Sequence, residues 1–205
     1  MTIIVGTVTT QNIKSDETYL QIPTSIIMDS KSAEKDPDFG PLIRTLRSTY
    51  KQKDDFHELL FFLLHERLIR HKNSVFWPYI RLLPIPGETD PPTGWNITEI
   101  RNRLKPSFIA NVAEQHRNRT EGTYNHIKKI KEISDFFPVE ILSFENYMWA
   151  AAVLDSRSIW WSGVRHLVPM LDFINCAEGP DSDKVHSTKL ESVGGVDVAV
   201  TKAGK

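Results

Sequence analysis

The chain has 205 residues and carries 25 basic against 26 acidic side chains, a formal charge of −1. That balance excludes the broad basic footprint of a general nucleic-acid binder. Hydrophobic residues at 40% and charged residues at 25% exclude a disordered polymer, and no apolar run reaches the roughly 18 residues of a membrane span.

Met1 to Val5 has neither the basic start nor the long apolar stretch of a secretory signal. The only cysteine, Cys176, permits no disulfide within the chain. A reducing, intracellular setting follows as the expectation, with cytoplasm, nucleus and plastid left open. The two glycosylation sequons, at Asn96 and Asn118, are idle in such a setting.

Ile3–Thr9 is rich in β-branched residues and predicts a strand. Gln11–Glu17 is polar and turn-like, and Thr18–Ile22 predicts a second short strand ended by Pro23. Pro41 opens a predicted helix that runs through Tyr50. Asp54 or Asp55 can cap the next, expected to reach about His71. Its run Phe56, Leu59–Leu64 and Leu68 leaves almost no polar face, so it is expected to be buried. The prolines at 84, 86, 91 and 92 predict a rigid loop.

Asn96 followed by Glu99 imitates a capping box and starts another helix. Pro106 interrupts it, and further helices are expected from there to about Asn118 and over Thr123–Phe136. The basic stretch His126–Lys131 reads as the solvated face of a helix, not a phosphate site. Ser143 caps a helix from Phe144 to about Asp155. Its stripe Phe144, Tyr147, Met148, Ala151 and Leu154 has helical spacing and reads as core. Beyond it, Ile159–Trp161 and Val164–Ile174 are apolar, broken by Gly163 and Pro169. Leu190–Val200 predicts a hairpin around Gly194–Gly195.

The order is therefore strands, a helical block, then strands. A lone two-stranded unit is marginal, so the economical architecture is an α+β fold in which one β core is interrupted by a long, mainly helical insertion. The boundaries expected are 1–38 and 156–205 for the core and 39–155 for the insertion.

Common catalytic signatures are absent: no phosphate-binding glycine loop, no dinucleotide fingerprint and no nucleophile elbow. The histidines lack metal-ligand spacing. His57 and His65 are two helical turns apart and His71 is off their face, so no metal site is expected.

What remains is Val153–Arg157 followed by Leu167-Val168-Pro169-Met170-Leu171-Asp172-Phe173-Ile174-Asn175-Cys176. Ser-Arg at a helix end, and then this string, resemble the SET-domain protein methyltransferases of the Rubisco large-subunit and actin-histidine branch. Gly6–Thr10 with Glu17–Pro23 is similar to that family's opening strand pair. Ser74–Ile80, Leu83-Pro84 and Gly94-Trp95 are similar to its insertion motif, and Phe144–Ala150 to the helix before Ser-Arg.

The resemblance covers nearly the whole chain in order, and it implies the SET fold, S-adenosylmethionine as cofactor and a protein as substrate. The transfer would go to a lysine nitrogen or, second, a histidine nitrogen. It also implies that Arg157 lies at the cofactor pocket paired with a carboxylate. Asn175 would contact the amino-acid part of the cofactor, and Cys176 the adenine through its backbone. Asp172 would orient the loop or face the substrate cleft. Cys176 stands where the family has histidine, so an imidazole hydrogen bond of about 0.5–1.5 kcal/mol is expected to be lost.

The family's glycine-rich loop precedes the opening strand, where only Gly6 remains. Its catalytic tyrosine would follow Lys205, and no tyrosine lies beyond Tyr147. The chain is expected to be a fragment with no catalytic residue of its own. A catalytically inactive SET-like protein-binding module, and a helical scaffold with an incidental β cap, are the alternatives.

Overall fold

The computed structural model describes residues 6–50, 55–86, 88, 91–104, 107–174 and 186–204. The chain divides into two compact units. One joins Met1–Ser32 with Arg157–Lys205, and the other is Ala33–Ser156.

The first unit holds β1 (Thr18–Pro23), β2 (Met28–Asp29), β3 (Ile159–Trp161), β4 (Val164–Leu167), β5 (His186–Val193) and β6 (Val196–Ala203). They form two antiparallel sheets, ordered β1-β6-β5 and β2-β4-β3. In each sheet a strand from before the helical block pairs with one from after it, with Ile22 opposite Ala199 and Met28 opposite Leu167. This closure excludes a helical scaffold with an incidental β cap.

Ile22, Ile27, Val168, Leu171 and Ala199 form the buried centre of this unit. The β5–β6 hairpin turns at Gly194 and Gly195, whose φ values of 59° and 83° suit a two-residue turn that matches strand twist and penalises side chains.

The expected strand over Ile3–Thr9 is not formed in its described part, Gly6–Thr9. Thr7 donates its backbone N–H to Phe173 O at 3.1 Å, a single bond rather than a ladder. β1 finds its partner in β6 instead, and β-branched composition without a neighbouring strand does not make a strand.

The second unit is helical. α1 (Ser30–Lys35) leads into it, followed by α2 (Gly40–Tyr50) and α3 (Asp55–Leu64). Glu58 through Leu64 are all buried, as an all-round apolar helix requires. The helix expected to reach His71 as one α-helix instead widens into a π turn at His65–Arg70 and tightens at His71–Asn73.

Polar anchoring accompanies that change of winding. Glu66, with no exposed side-chain surface, accepts from Arg70 Nη1 at 2.9 Å and Ser74 Oγ at 2.5 Å. It also meets His65 Nδ1 at 3.0 Å. Arg70 in turn pairs with Asp36 and Asp38. Nearby, Phe39 packs on Phe62 and Phe136 with ring centres 5.4 and 5.6 Å apart.

α4 (Trp77–Ile80) is short, and α5 (Ile97–Arg103) begins where Asn96 Oδ1 accepts from Glu99 N–H at 2.9 Å. α6 (Phe108–Ile127) runs unbroken past Asn118, where a break was expected. Ala113, Tyr124 and Ile127 are buried on it, and their spacing of eleven and three residues keeps one face inward. Tyr124 also donates its hydroxyl to Leu142 O at 2.9 Å. Two apolar contacts at the far end thus carry the helix through its polar middle.

α7 (Lys131–Phe136) follows, so the basic stretch sits at the α6–α7 junction rather than along one helix face. α8 (Phe144–Arg157) is capped by Ser143, whose Oγ accepts from Asn146 N–H at 3.2 Å. Tyr147, Ala151 and Leu154 of the expected stripe are buried, whereas Phe144 and Met148 are half-buried.

Candidate functional site

Arg157 is the last residue of α8, a position where a cation meets the negative end of the helix. The chain then forms the β3–β4 hairpin and enters a 3-10 turn at Leu171–Phe173. Met170 opens that turn at φ 69°, a left-handed conformation uncommon outside glycine. Asp172 N–H reaches Val168 O at 3.3 Å and Phe173 N–H reaches Met170 O at 3.2 Å. These bonds hold the turn.

Asp172 and Arg157 are brought together there. Arg157 Nη1 donates to Asp172 Oδ2 at 3.1 Å, with side-chain exposures of 19% and 0% respectively. The guanidinium also lies 5.0 Å from the centre of the Phe173 ring. It is held between a buried carboxylate and an aromatic face, an arrangement that fixes its orientation. Asn175 and Cys176 lie outside the described residues.

A second polar cluster in the same unit escaped sequence reasoning. His166 stacks on Trp161 at 4.0 Å and its Nε2 lies 3.5 Å from Asp29 Oδ2. Burial pushes the imidazole below its ordinary titration range, against the opposing pull of Asp29. Asp29 and His166 are register partners across β2 and β4, a relation with no local signal in the chain.

In the helical unit, a cleft of about 700 Å³ opens between α3, α6 and α8. Its floor includes Tyr147, whose hydroxyl lies 3.0 Å from His57 Nε2. Among the described residues no group of three histidine, cysteine or acidic side chains could hold a metal ion, and no helix is long and apolar enough to cross a membrane.

No protein-family model matches the chain. The actin-histidine N-methyltransferase of Dasypus novemcinctus is 30% identical over 152 residues, 72% of this chain and 24% of that protein. The Xenopus tropicalis protein of the same name is 30% identical over 156 residues, 74% of this chain and 25% of that protein. Among solved structures, the SET domain of LSMT bound to lysine and AdoHcy superposes with a TM-score of 0.73 at 19% identity. It covers 98% of this chain and 45% of that one.

The chain is of the SET type. Rubisco LSMT bound to AdoMet gives the same answer at a TM-score of 0.68 and 22% identity, over 98% of this chain and 44% of that one. This SET-type chain spans about a quarter of the length of the curated relatives it matches. The likeness to solved structures extends across both units, so the strand–helix–strand order that suggested an interrupted β core is that of the SET fold.

Proposed function

We propose that the protein is an S-adenosylmethionine-dependent protein N-methyltransferase acting on a lysine or histidine side-chain nitrogen. The observation that carries this reading is the Arg157–Asp172 pair beside Phe173, set in a chain related to the actin-histidine methyltransferases.

The described part of the site fits a ligand bearing a carboxylate. Arginine has five N–H donors, and the one hydrogen bond found for Arg157 goes to Asp172. The buried Asp172 keeps the guanidinium oriented and prevents it from being an uncompensated charge when no ligand is bound. In this reading Arg157 binds and Asp172 positions, at the loop or at the edge of the substrate cleft. Asn175 contacts the amino-acid part of the cofactor and Cys176 the adenine through its backbone. The sulfonium supplies an activated methyl group for in-line transfer to a nitrogen lone pair, so the protein's part is orientation and electrostatics.

Calorimetric titration of the folded chain with S-adenosylhomocysteine tests the proposal. Saturable micromolar binding, weakened in Arg157→Ala, is the expected result. A folded sample that takes up no heat-detectable ligand, or an Arg157→Ala variant that binds as well as the parent, overturns it.

A further inference from the structure

The cleft between α3, α6 and α8 exists because two helix faces fail to pack. α6 turns His116, Arg119, Thr120 and Thr123 toward it. Their spacing of three, four and seven residues places them on one side of the helix, and none is a large apolar group able to fill a groove. α8 answers with Ala151 and Ala152, which are too small to reach across. Helices meeting over such faces leave space that bulkier side chains would close.

The space left is chemically two-sided. The floor is apolar and aromatic, built by Phe56, Tyr147 and Met148, with the His57–Tyr147 hydrogen bond as a polar handle. The rim on α6 is cationic. Arg119 is exposed, and among the described residues no hydrogen bond or ion pair engages it. His116 lies one turn before it, its Nδ1 3.5 Å from Thr120 Oγ1. Asp155 is the carboxylate of the lining, and it has an interaction of its own. A volume of about 700 Å³ falls inside the roughly 300–1,000 Å³ range of small-ligand pockets, which combine apolar walls with a few placed polar groups.

We infer that this cleft is a binding site for an amphipathic organic anion: an aromatic body against Tyr147 and Met148, and an acidic group at Arg119. The site lies within the helical unit, on residues distinct from Arg157 and Asp172, and its ligand is a second one besides the methyl donor.

The test uses two fluorescent probes with the full chain. They are 1-anilinonaphthalene-8-sulfonate and its uncharged counterpart N-phenyl-1-naphthylamine. The sulfonate binds saturably at one site per chain. Arg119→Glu removes an attraction and adds a repulsion, so the affinity for the sulfonate falls by about tenfold. Affinity for the uncharged probe stays within about twofold, since both pairings of a solvent-facing charge with a neutral ligand are weak. Lys129→Glu, an exposed charge outside the cleft, leaves both affinities unchanged.

Ala152→Trp fills the cleft and abolishes binding of both probes. If that variant does not fold, the contrast between Arg119→Glu and Lys129→Glu decides alone. The inference is overturned if Arg119→Glu binds the sulfonate as the parent does, if folded Ala152→Trp still binds, or if S-adenosylhomocysteine displaces the probe. The last result would make the cleft the cofactor's own and leave the methyltransferase proposal standing.

Discussion

Replacing Glu66 by alanine measures how strongly the π turn depends on one buried carboxylate. The side chain has no exposed surface and gathers Arg70 Nη1 at 2.9 Å, Ser74 Oγ at 2.5 Å and His65 Nδ1 at 3.0 Å. Each hydrogen bond to a charged acceptor contributes about 1.5–3 kcal/mol net. Arg70 retains Asp36 and Asp38 in the variant, so no cation is stranded there. His65 and Ser74, both buried, lose this partner, while the cost of burying the carboxylate is relieved.

The balance is a destabilisation of about 3–5 kcal/mol, against a total of about 5–15 kcal/mol for a folded domain. At about 2–4 °C per kcal/mol for a chain of this size, the melting temperature falls by ~10 °C. Glu66→Gln keeps one acceptor and loses the charge, and falls between parent and alanine variant. Urea unfolding followed by circular dichroism reads all three proteins. An alanine variant within about 1 kcal/mol of the parent would refute the reasoning, because the carboxylate would then be only passively buried.

His166 gives a pH dependence. Burial disfavours its imidazolium, so its folded value lies below the ordinary one near 6.5. The contribution is complete above that value and is lost as pH falls below it, where the unfolded chain takes up a proton that the folded chain refuses. His166→Gln therefore flattens stability against pH below about 6.5, and equal slopes in parent and variant would contradict it. Gly40→Ala places a Cβ 2.3 Å from Glu34 O. Backbone must shift, at a cost of about 1–3 kcal/mol, measured by the same urea titration. In the Arg157–Asp172 pair, Asp172→Asn keeps the shape and removes the charge. It weakens S-adenosylhomocysteine by about tenfold through loss of guanidinium orientation, and an unchanged dissociation constant from calorimetry would sever Asp172 from the cofactor reading.

Several elements were legible locally. Asn96 and Ser143 cap as their spacing to Glu99 and Asn146 suggests, since a side-chain oxygen two or three residues before a free N–H needs nothing distant. Helix breaks were less legible. Polar composition around Asn118 carried no information about Tyr124 and Ile127 anchoring the far end of α6. The π turn at His65–Arg70 was invisible for a related reason. Its polar partners, Asp36, Asp38 and Ser74, come from outside the turn itself.

From the chain alone came the α+β class, the buried α3, the hairpin at Gly194–Gly195 and the SET resemblance, because periodicity, capping and turn chemistry act over a few residues. Tertiary structure decided what those elements meet. β1 could have paired with the segment before it but pairs with β6, from the opposite end of the chain. Arg157 faces Asp172, Asp29 faces His166, and α6 and α8 leave a cleft. Such meetings depend on which surfaces close around a shared core, and a closing loop costs nearly the same entropy for many partners. Burial and hydrogen-bond satisfaction choose among them, and both are properties of the folded whole.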